Sequence, residues 1–167
     1  MRVPGWPERT TQPGALLPDL LTAMGGTARR EGDELAVSGT GEVHGVDVDL
    51  REAGELAPTI AALAVLADSP TRLRGIGHIR GHETDRLAAL ATEITRLGGQ
   101  AEQTHDGLVI TPRPLRGGVW QSYRDHRMAT AGALVGLRVP GVEVVDVATT
   151  RKTLPDFVGM WTDMLRR

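Results

Sequence analysis

The pattern of turns and apolar residues runs twice through one order of elements, helix, hairpin, strand, helix, strand, at a spacing of about 70 residues. The first pass reads "TQPGALLPDLLTAMGG" as an amphipathic helix, with Pro18 in its first turn or at a kink, and "TARREGDELAVSG" as a hairpin about Gly32-Asp33. "VDVDL", "ELAPTIAALAVLAD" and "TRLRGIG" follow as strand, apolar helix and strand. The second pass opens with "ETDRLAALATEITRLGG", where Leu87, Leu90, Ile94 and Leu97 fall three, four and three apart, with Thr84 to cap the helix and Gly98 to end it. A hairpin about Asp106-Gly107, the strand "VWQSY", the helix "MATAGALVGL" and the strand "VEVVDVA" complete it, and "TLPDFVGMWTDML" opens a third pass. Each unit of such an array buries its apolar face against the next. The expectation is an α/β (α+β) fold, one domain over residues 1–167, built on a threefold internal arrangement and forming a piece of a larger protein.

The composition of these 167 residues fits that architecture: 40% hydrophobic is enough for a core, while only 3% aromatic leaves Leu, Val, Ile and Ala to build it. Small side chains let helices and sheets approach closely. A formal charge of −2 without blocks of like charge gives no footprint for nucleic acid or a membrane surface. The absence of Cys removes disulfides and thiol chemistry. "MRVPGWPERT" has no apolar stretch of the kind that heads a signal peptide, and no run approaches roughly 18 apolar residues, so a soluble cytoplasmic protein is expected.

The charges at the helix starts are less ordinary. Asp125 can cap "MATAGALVGL" through its carboxylate, yet Arg124, His126 and Arg127 crowd the same end, where the helix dipole disfavours cations. His82, Glu83 and Arg86 head "TDRLAAL", Glu55 precedes "LAPTIAAL", and Arg151 and Lys152 precede "TLPDFVGM". Such ends need either local carboxylates or an external anion, and helix starts with Arg and Lys bind phosphate and carboxylate well. The competing reading pairs Arg86 with Glu83, and Arg127 with Asp125, as surface ion pairs worth under about 1 kcal/mol.

Other chemistries find less support. His78 and His82 are four apart, but Gly81 lies between them and no third metal ligand is evident. "GTGEVHG" departs from a dinucleotide-binding loop, and there is no P-loop, no H-E-x-x-H and no nucleophile elbow.

"RGHETDRLAAL", "DHRMATAGALVGL" and "RKTLPDF", in this order and at these separations, resemble the C-terminal part of the 5-enolpyruvylshikimate-3-phosphate (EPSP) synthase family. "VPGWPERTTQPGALL" and "GELAPTIAALA" look like its actinobacterial branch, so the resemblance covers essentially the whole chain. It implies an enolpyruvyl-transferase-like domain of repeated βαβαββ units, two complete and a third incomplete, facing a complementary N-terminal domain across a cleft. The implied reaction transfers the enolpyruvyl group of phosphoenolpyruvate to the 5-hydroxyl of shikimate 3-phosphate, releasing phosphate, with no metal or organic cofactor. Both substrates are polyanions. An isolated C-terminal domain is expected to be inactive or nearly so.

On this resemblance Glu55 takes the place of a carboxylate, often Asp, that contacts the shikimate hydroxyls and is the candidate base. Glu83 matches the acid proposed to move a proton at phosphoenolpyruvate, with burial or a nearby anion expected to raise its pKa. Arg86, Arg127 and Lys152 match a clamp on the phosphate and carboxylate of that substrate, with His126 beside them. His82 stands where many members carry Lys, and His78 where many carry Asn. The related UDP-N-acetylglucosamine enolpyruvyl transferase fits "DHRMA" and "KTLPDF" poorly. From another class, a non-catalytic anion-binding or assembly module of this fold is the alternative.

Overall fold

A computed structural model describes residues 1–166. The first helix, α1 (Leu17–Ala23), follows a short strand, β1 (Arg2–Val3), and precedes the hairpin of β2 (Thr27–Glu31) and β3 (Glu34–Ser38). Next come β4 (Asp47–Asp49), α2 (Ala57–Ala64) and β5 (Thr71–Arg74). The order then repeats as α3 (Arg86–Arg96), β6 (Gln100–Gln103), β7 (Leu108–Thr111), β8 (Gly118–Gln121), α4 (His126–Gly136) and β9 (Val142–Val145), and α5 (Phe157–Leu165) opens a third pass. Both hairpins turn where Gly32-Asp33 and Asp106-Gly107 predict, and Pro18 lies in the first turn of α1 without kinking it.

Strand pairing shows how the units interlock. The parallel pair β4–β5 belongs to one pass, and the hairpin β7–β6 that completes its sheet belongs to the next, giving the order β4-β5-β7-β6 with β5 antiparallel to β7. The sheet β1-β3-β2 repeats part of this arrangement, with β1 antiparallel to the hairpin strand β3 as β5 is to β7. The parallel pair β8–β9 is the counterpart of β4–β5. From β4 to β7 the order is therefore βαβαββ, and its closure through the sheet explains why a single pass could not fold alone: its apolar faces are covered by its neighbours.

Helix α3 is amphipathic because Leu87, Leu90 and Ile94 share a face, all at most 1% exposed, and Leu97 joins them at the C-cap. Its N-cap is Asp85, whose side chain accepts from the Ala88 N–H at 3.0 Å; Thr84, the residue expected there, lies one position too early. Helices α2 and α4 pack against each other in the core through small side chains, among them Ala57, Ala61 and Ala64 on α2 and Ala131 on α4. The core is not purely aliphatic. Trp120 on β8 is 1% exposed, lies against Gly132, where a Cβ would come within 2.5 Å of the ring, and donates from Nε1 to the Met128 carbonyl at 2.8 Å. This contact holds α4 against its strand. No helix among the described residues is long and apolar enough to cross a membrane.

Candidate active site

Four segments carry charged residues into one cluster: the 3-10 turn Gly54–Leu56 before α2, the turn before α3, the first turn of α4, and the 3-10 turn Val147–Lys152 before α5. These are two pairs of equivalent helix entrances, α2 with α4 and α3 with α5, and the repeat brings together there residues up to about 100 positions apart in the chain.

At the centre, Arg86 is 1% exposed and nearly all of its donors are used. Its Nε donates to Asp125 Oδ2 at 2.7 Å and its Nη2 to Asp125 Oδ1 at 3.3 Å, a two-pronged pair with a carboxylate that is 0% exposed. Nη2 also donates to Glu83 Oε2 at 2.8 Å, and Nη1 to His82 Nδ1 at 3.0 Å. Because a guanidinium can only donate, His82 Nδ1 accepts, so its imidazole is the neutral tautomer protonated at Nε2 in this arrangement. His78 stands behind His82, ring centroids 6.1 Å apart, with its Nε2 against Gly54 where a Cβ would come within 2.5 Å. A side chain at position 54 would push His78 away from the turn that carries Glu55.

Asp125 works in two directions. Besides holding Arg86, its Oδ1 accepts from the backbone N–H groups of Arg127 at 2.8 Å and Met128 at 3.4 Å, capping α4 as its position at the helix start predicts. The surface pairing of Arg127 with Asp125 considered from sequence is replaced by a different partner. Arg127 reaches Glu55 instead, with Nη2 on the carboxylate and Nη1 donating to the Glu55 carbonyl at 3.1 Å.

Glu83 is the second acidic hub. It pairs with Lys152 through Oε1 and with Arg86 through Oε2, and His126 Nδ1 lies 3.8 Å from Oε1. The hydrogen bond from Lys152, aided by Arg86, holds its carboxyl down at about 2. In contrast to the rise expected from burial, the neighbouring cations outweigh desolvation, since the side chain keeps 26% exposure. His126, by contrast, has its pKa pushed below the ordinary imidazole value by burial, and its Nδ1 has no hydrogen-bond partner among the described residues.

All eight residues singled out from the sequence, Glu55, His78, His82, Glu83, Arg86, His126, Arg127 and Lys152, thus border one cluster. Arg124, grouped with them by sequence, is not joined to the cluster by any hydrogen bond or ion pair among the described residues; it sits in a left-handed turn outside α4 with φ of 58°. Asp125 was legible as a cap but not as the partner of Arg86. The overlooked sign is that Arg86 lies on the same face of α3 as Leu90, Glu93 and Leu97, so a charge there had to be buried and matched.

Chemically, three cations (Arg86, Arg127, Lys152) meet three carboxylates (Glu55, Glu83, Asp125), with His82 and His126 between them. Asp125 is committed to the interior, whereas Glu55, Glu83 and Lys152 are open to solvent. Beside them a cavity of about 540 Å³ runs from Arg127, Glu55 and Leu56 to Gln12, Pro13 and Gly14. The described residues contain no group of three or more His, Asp or Glu side chains arranged to hold a metal ion.

Comparison with known proteins gives a consistent picture. A family profile described as EPSP synthase (3-phosphoshikimate 1-carboxyvinyltransferase) matches residues 1–161. The chain is 56% identical over 163 residues to the 3-phosphoshikimate 1-carboxyvinyltransferase of Kocuria rhizophila, covering 98% of this chain and 37% of that protein. Against the same enzyme of Mycobacterium ulcerans it is 57% identical over 165 residues, covering 98% of this chain and 38% of the relative. The chain therefore spans little more than a third of the length of these relatives. Among solved structures, EPSP synthase from Acinetobacter baumannii superposes with a TM-score of 0.80 at 22% identity, covering 97% of this chain and 41% of the other. The enolpyruvyl transferase NikO from Streptomyces tendae superposes at 0.68 and 22% identity, covering 91% and 37%. The likeness to these two is one of fold.

Proposed function

The chain belongs to the EPSP synthase family, and on that premise we propose that it supplies the phosphoenolpyruvate-binding wall of an enolpyruvyl transferase acting on shikimate 3-phosphate. The observation that carries this reading is the pairing of each solvent-facing cation with a carboxylate: Arg127 with Glu55, and Lys152 with Glu83. A trianionic substrate whose carboxylate and phosphate take those two cations frees both glutamates at the moment they are needed. Glu83, relieved of Lys152 and set beside new negative charge, rises from its depressed pKa and becomes able to hold and deliver a proton. Glu55, relieved of Arg127, becomes free to accept one.

In the reaction so read, the shikimate 5-hydroxyl forms a bond to C2 of phosphoenolpyruvate, its proton passing to Glu55, as C3 takes a proton from Glu83. The resulting adduct loses phosphate from C2, which leaves with the proton held on Glu55, and returns a methyl proton to Glu83, restoring the double bond in the enol ether. Arg86, held by Asp125, keeps Glu83 in place and reaches the substrate only if Glu83 turns away. The imidazoles of His82 and His126 line the site, and burial favours the neutral form of His126.

The balance of three cations and three carboxylates leaves no surplus positive charge for two polyanions. The remaining cations and the grip on shikimate 3-phosphate are assigned to a complementary N-terminal domain, in keeping with the fraction of the relatives' length that this chain spans. Soluble phosphorylated substrates place such an enzyme in the cytoplasm. The family match favours this reading over a UDP-N-acetylglucosamine enolpyruvyl transferase. A titration of the chain with phosphoenolpyruvate, followed through the carboxyl carbon resonances of Glu55 and Glu83, tests it: both respond at one binding constant if the substrate displaces them, and neither responds if the cluster is only a structural ion-pair network.

A further inference from the structure

The segment joining β8 to α4 is strained, and one buried carboxylate holds it. Tyr123 and Arg124 both have left-handed backbone, φ of 55° and 58°, and the Asp125 N–H donates to the Ser122 carbonyl at 2.9 Å, closing a turn of the I′ kind. Such turns favour Asn and Gly at their two central positions, and neither residue here is of that type. Left-handed backbone in bulky residues persists only where the surroundings enforce it.

The enforcing group is Glu93 on α3, 0% exposed. Its Oε1 accepts from the Tyr123 hydroxyl at 2.6 Å, and its Oε2 accepts from the Gln121 backbone N–H at 3.0 Å and from Arg96 at 2.6 Å. One carboxylate thereby grips the last residue of β8 and the first left-handed residue of the turn. Seven positions earlier on α3, Arg86 grips the next element of the same path, Asp125. Helix α3 thus holds the entrance of α4 at two points, and between them lies the turn that decides which way His126 and Arg127 face.

We propose that Glu93 is a positioning residue for the substrate site: by holding the left-handed turn Ser122–Asp125, it fixes the rotation of the first turn of α4 that aims Arg127 at Glu55 and seats His126 beside Glu83. It touches no substrate and acts through the turn. The assignment rests on the reading of the cluster as a phosphoenolpyruvate site, and its test has one readout that needs no ligand.

The experiment uses the 167-residue chain with Glu93→Ala, with Tyr123→Phe, which removes only the hydroxyl that reaches Glu93, and with each combined with Arg124→Gly, a residue that accepts left-handed backbone freely. Two quantities are measured: the dissociation constant for phosphoenolpyruvate, and the titration midpoint of the His126 ring without ligand, read by NMR. That ring is faced by Glu83, Arg86, Asp125 and Arg127, so its midpoint reports its seating. Glu93→Ala is expected to weaken binding roughly tenfold or more and to move the His126 midpoint toward the ordinary imidazole value, Tyr123→Phe to do the same to a smaller extent, and Arg124→Gly to restore both. If Glu93→Ala is unfolded, the Tyr123→Phe pair decides alone. A folded Glu93→Ala or Tyr123→Phe chain with both quantities unchanged overturns the proposal, and so does a loss that Arg124→Gly fails to restore, since Glu93 would then be a general strut. A wild-type chain that binds no phosphoenolpyruvate removes the functional reading, while the His126 midpoint still decides the role of Glu93.

Discussion

Arg86 and Asp125 face each other in the interior with Nε 2.7 Å from Oδ2, at 1% and 0% exposure. Removing one partner of a buried pair strands the other charge, a loss of about 3–5 kcal/mol. Asp125 is also the cap of α4, and losing a cap costs about 1 kcal/mol. Asp125→Ala should therefore lower the stability of the chain in urea denaturation far more than Arg127→Ala, whose partner Glu55 is partly solvated. Equal losses would mean that Asp125 is not the hinge between α3 and α4.

The acid limb of stability should carry the signature of Glu83. Its pKa in the folded chain is about 2, below the ordinary value of 4.5, so its ionised form favours the fold. That contribution is complete above about 4.5 and is lost as the pH falls toward about 2. The difference in unfolding free energy between wild type and Glu83→Gln should be constant above pH 4.5 and shrink across this window. A difference that persists unchanged to pH 2 would show that Lys152 and Arg86 do not hold the carboxylate.

Burial keeps His126 neutral in the fold, its pKa depressed below 6.5. The sign follows directly: stability is full above about 6.5 and declines below it, because the unfolded chain binds the proton more readily. Thermal unfolding of the wild type should show this decline, and His126→Gln should remove it. A decline that survives in the variant would assign the effect to another group.

Competition within the cluster makes a less intuitive prediction. Glu55 and Glu83 occupy the cations that phosphoenolpyruvate is proposed to take. Glu55→Gln and Glu83→Gln should each tighten phosphoenolpyruvate binding to the isolated chain several-fold, while Arg127→Ala and Lys152→Ala should weaken it roughly tenfold. Calorimetric titration separates these outcomes. Weaker binding in both glutamine variants would mean that the carboxylates assist binding instead of opposing it.

The order of elements was legible in the sequence because apolar spacing and Gly-Asp or Asp-Gly turns are local signals, and the observed elements follow them from α1 to α5. Strand pairing was not. Nothing local in "TRLRGIG" or "LVITP" tells that β5 joins the hairpin of the following pass, a choice made by packing between units. Of the cations at the helix starts, Arg86, Arg127 and Lys152 meet in one cluster while Arg124 does not join it, and their partners remained hidden, since Arg86–Asp125 and Arg127–Glu55 join residues 39 and 72 positions apart. Glu93 was hidden for a different reason: a Glu on an amphipathic helix reads as surface until Tyr123 and Gln121 are seen to enclose it. Lys152 was hidden as a partner by distance in the sequence, 69 positions from Glu83, and it is the contact that lowers the pKa of that carboxyl.

The most direct measurement is phosphate release from phosphoenolpyruvate and shikimate 3-phosphate, with the folded chain alone and then mixed with the separately produced N-terminal part of a close relative. A half-site of three cations balanced by three carboxylates should be silent alone and active in the mixture, and Lys152→Ala should abolish that activity. Turnover by the isolated chain, or silence in a mixture shown to form a complex, would contradict the assignment of this domain as one wall of a shared site.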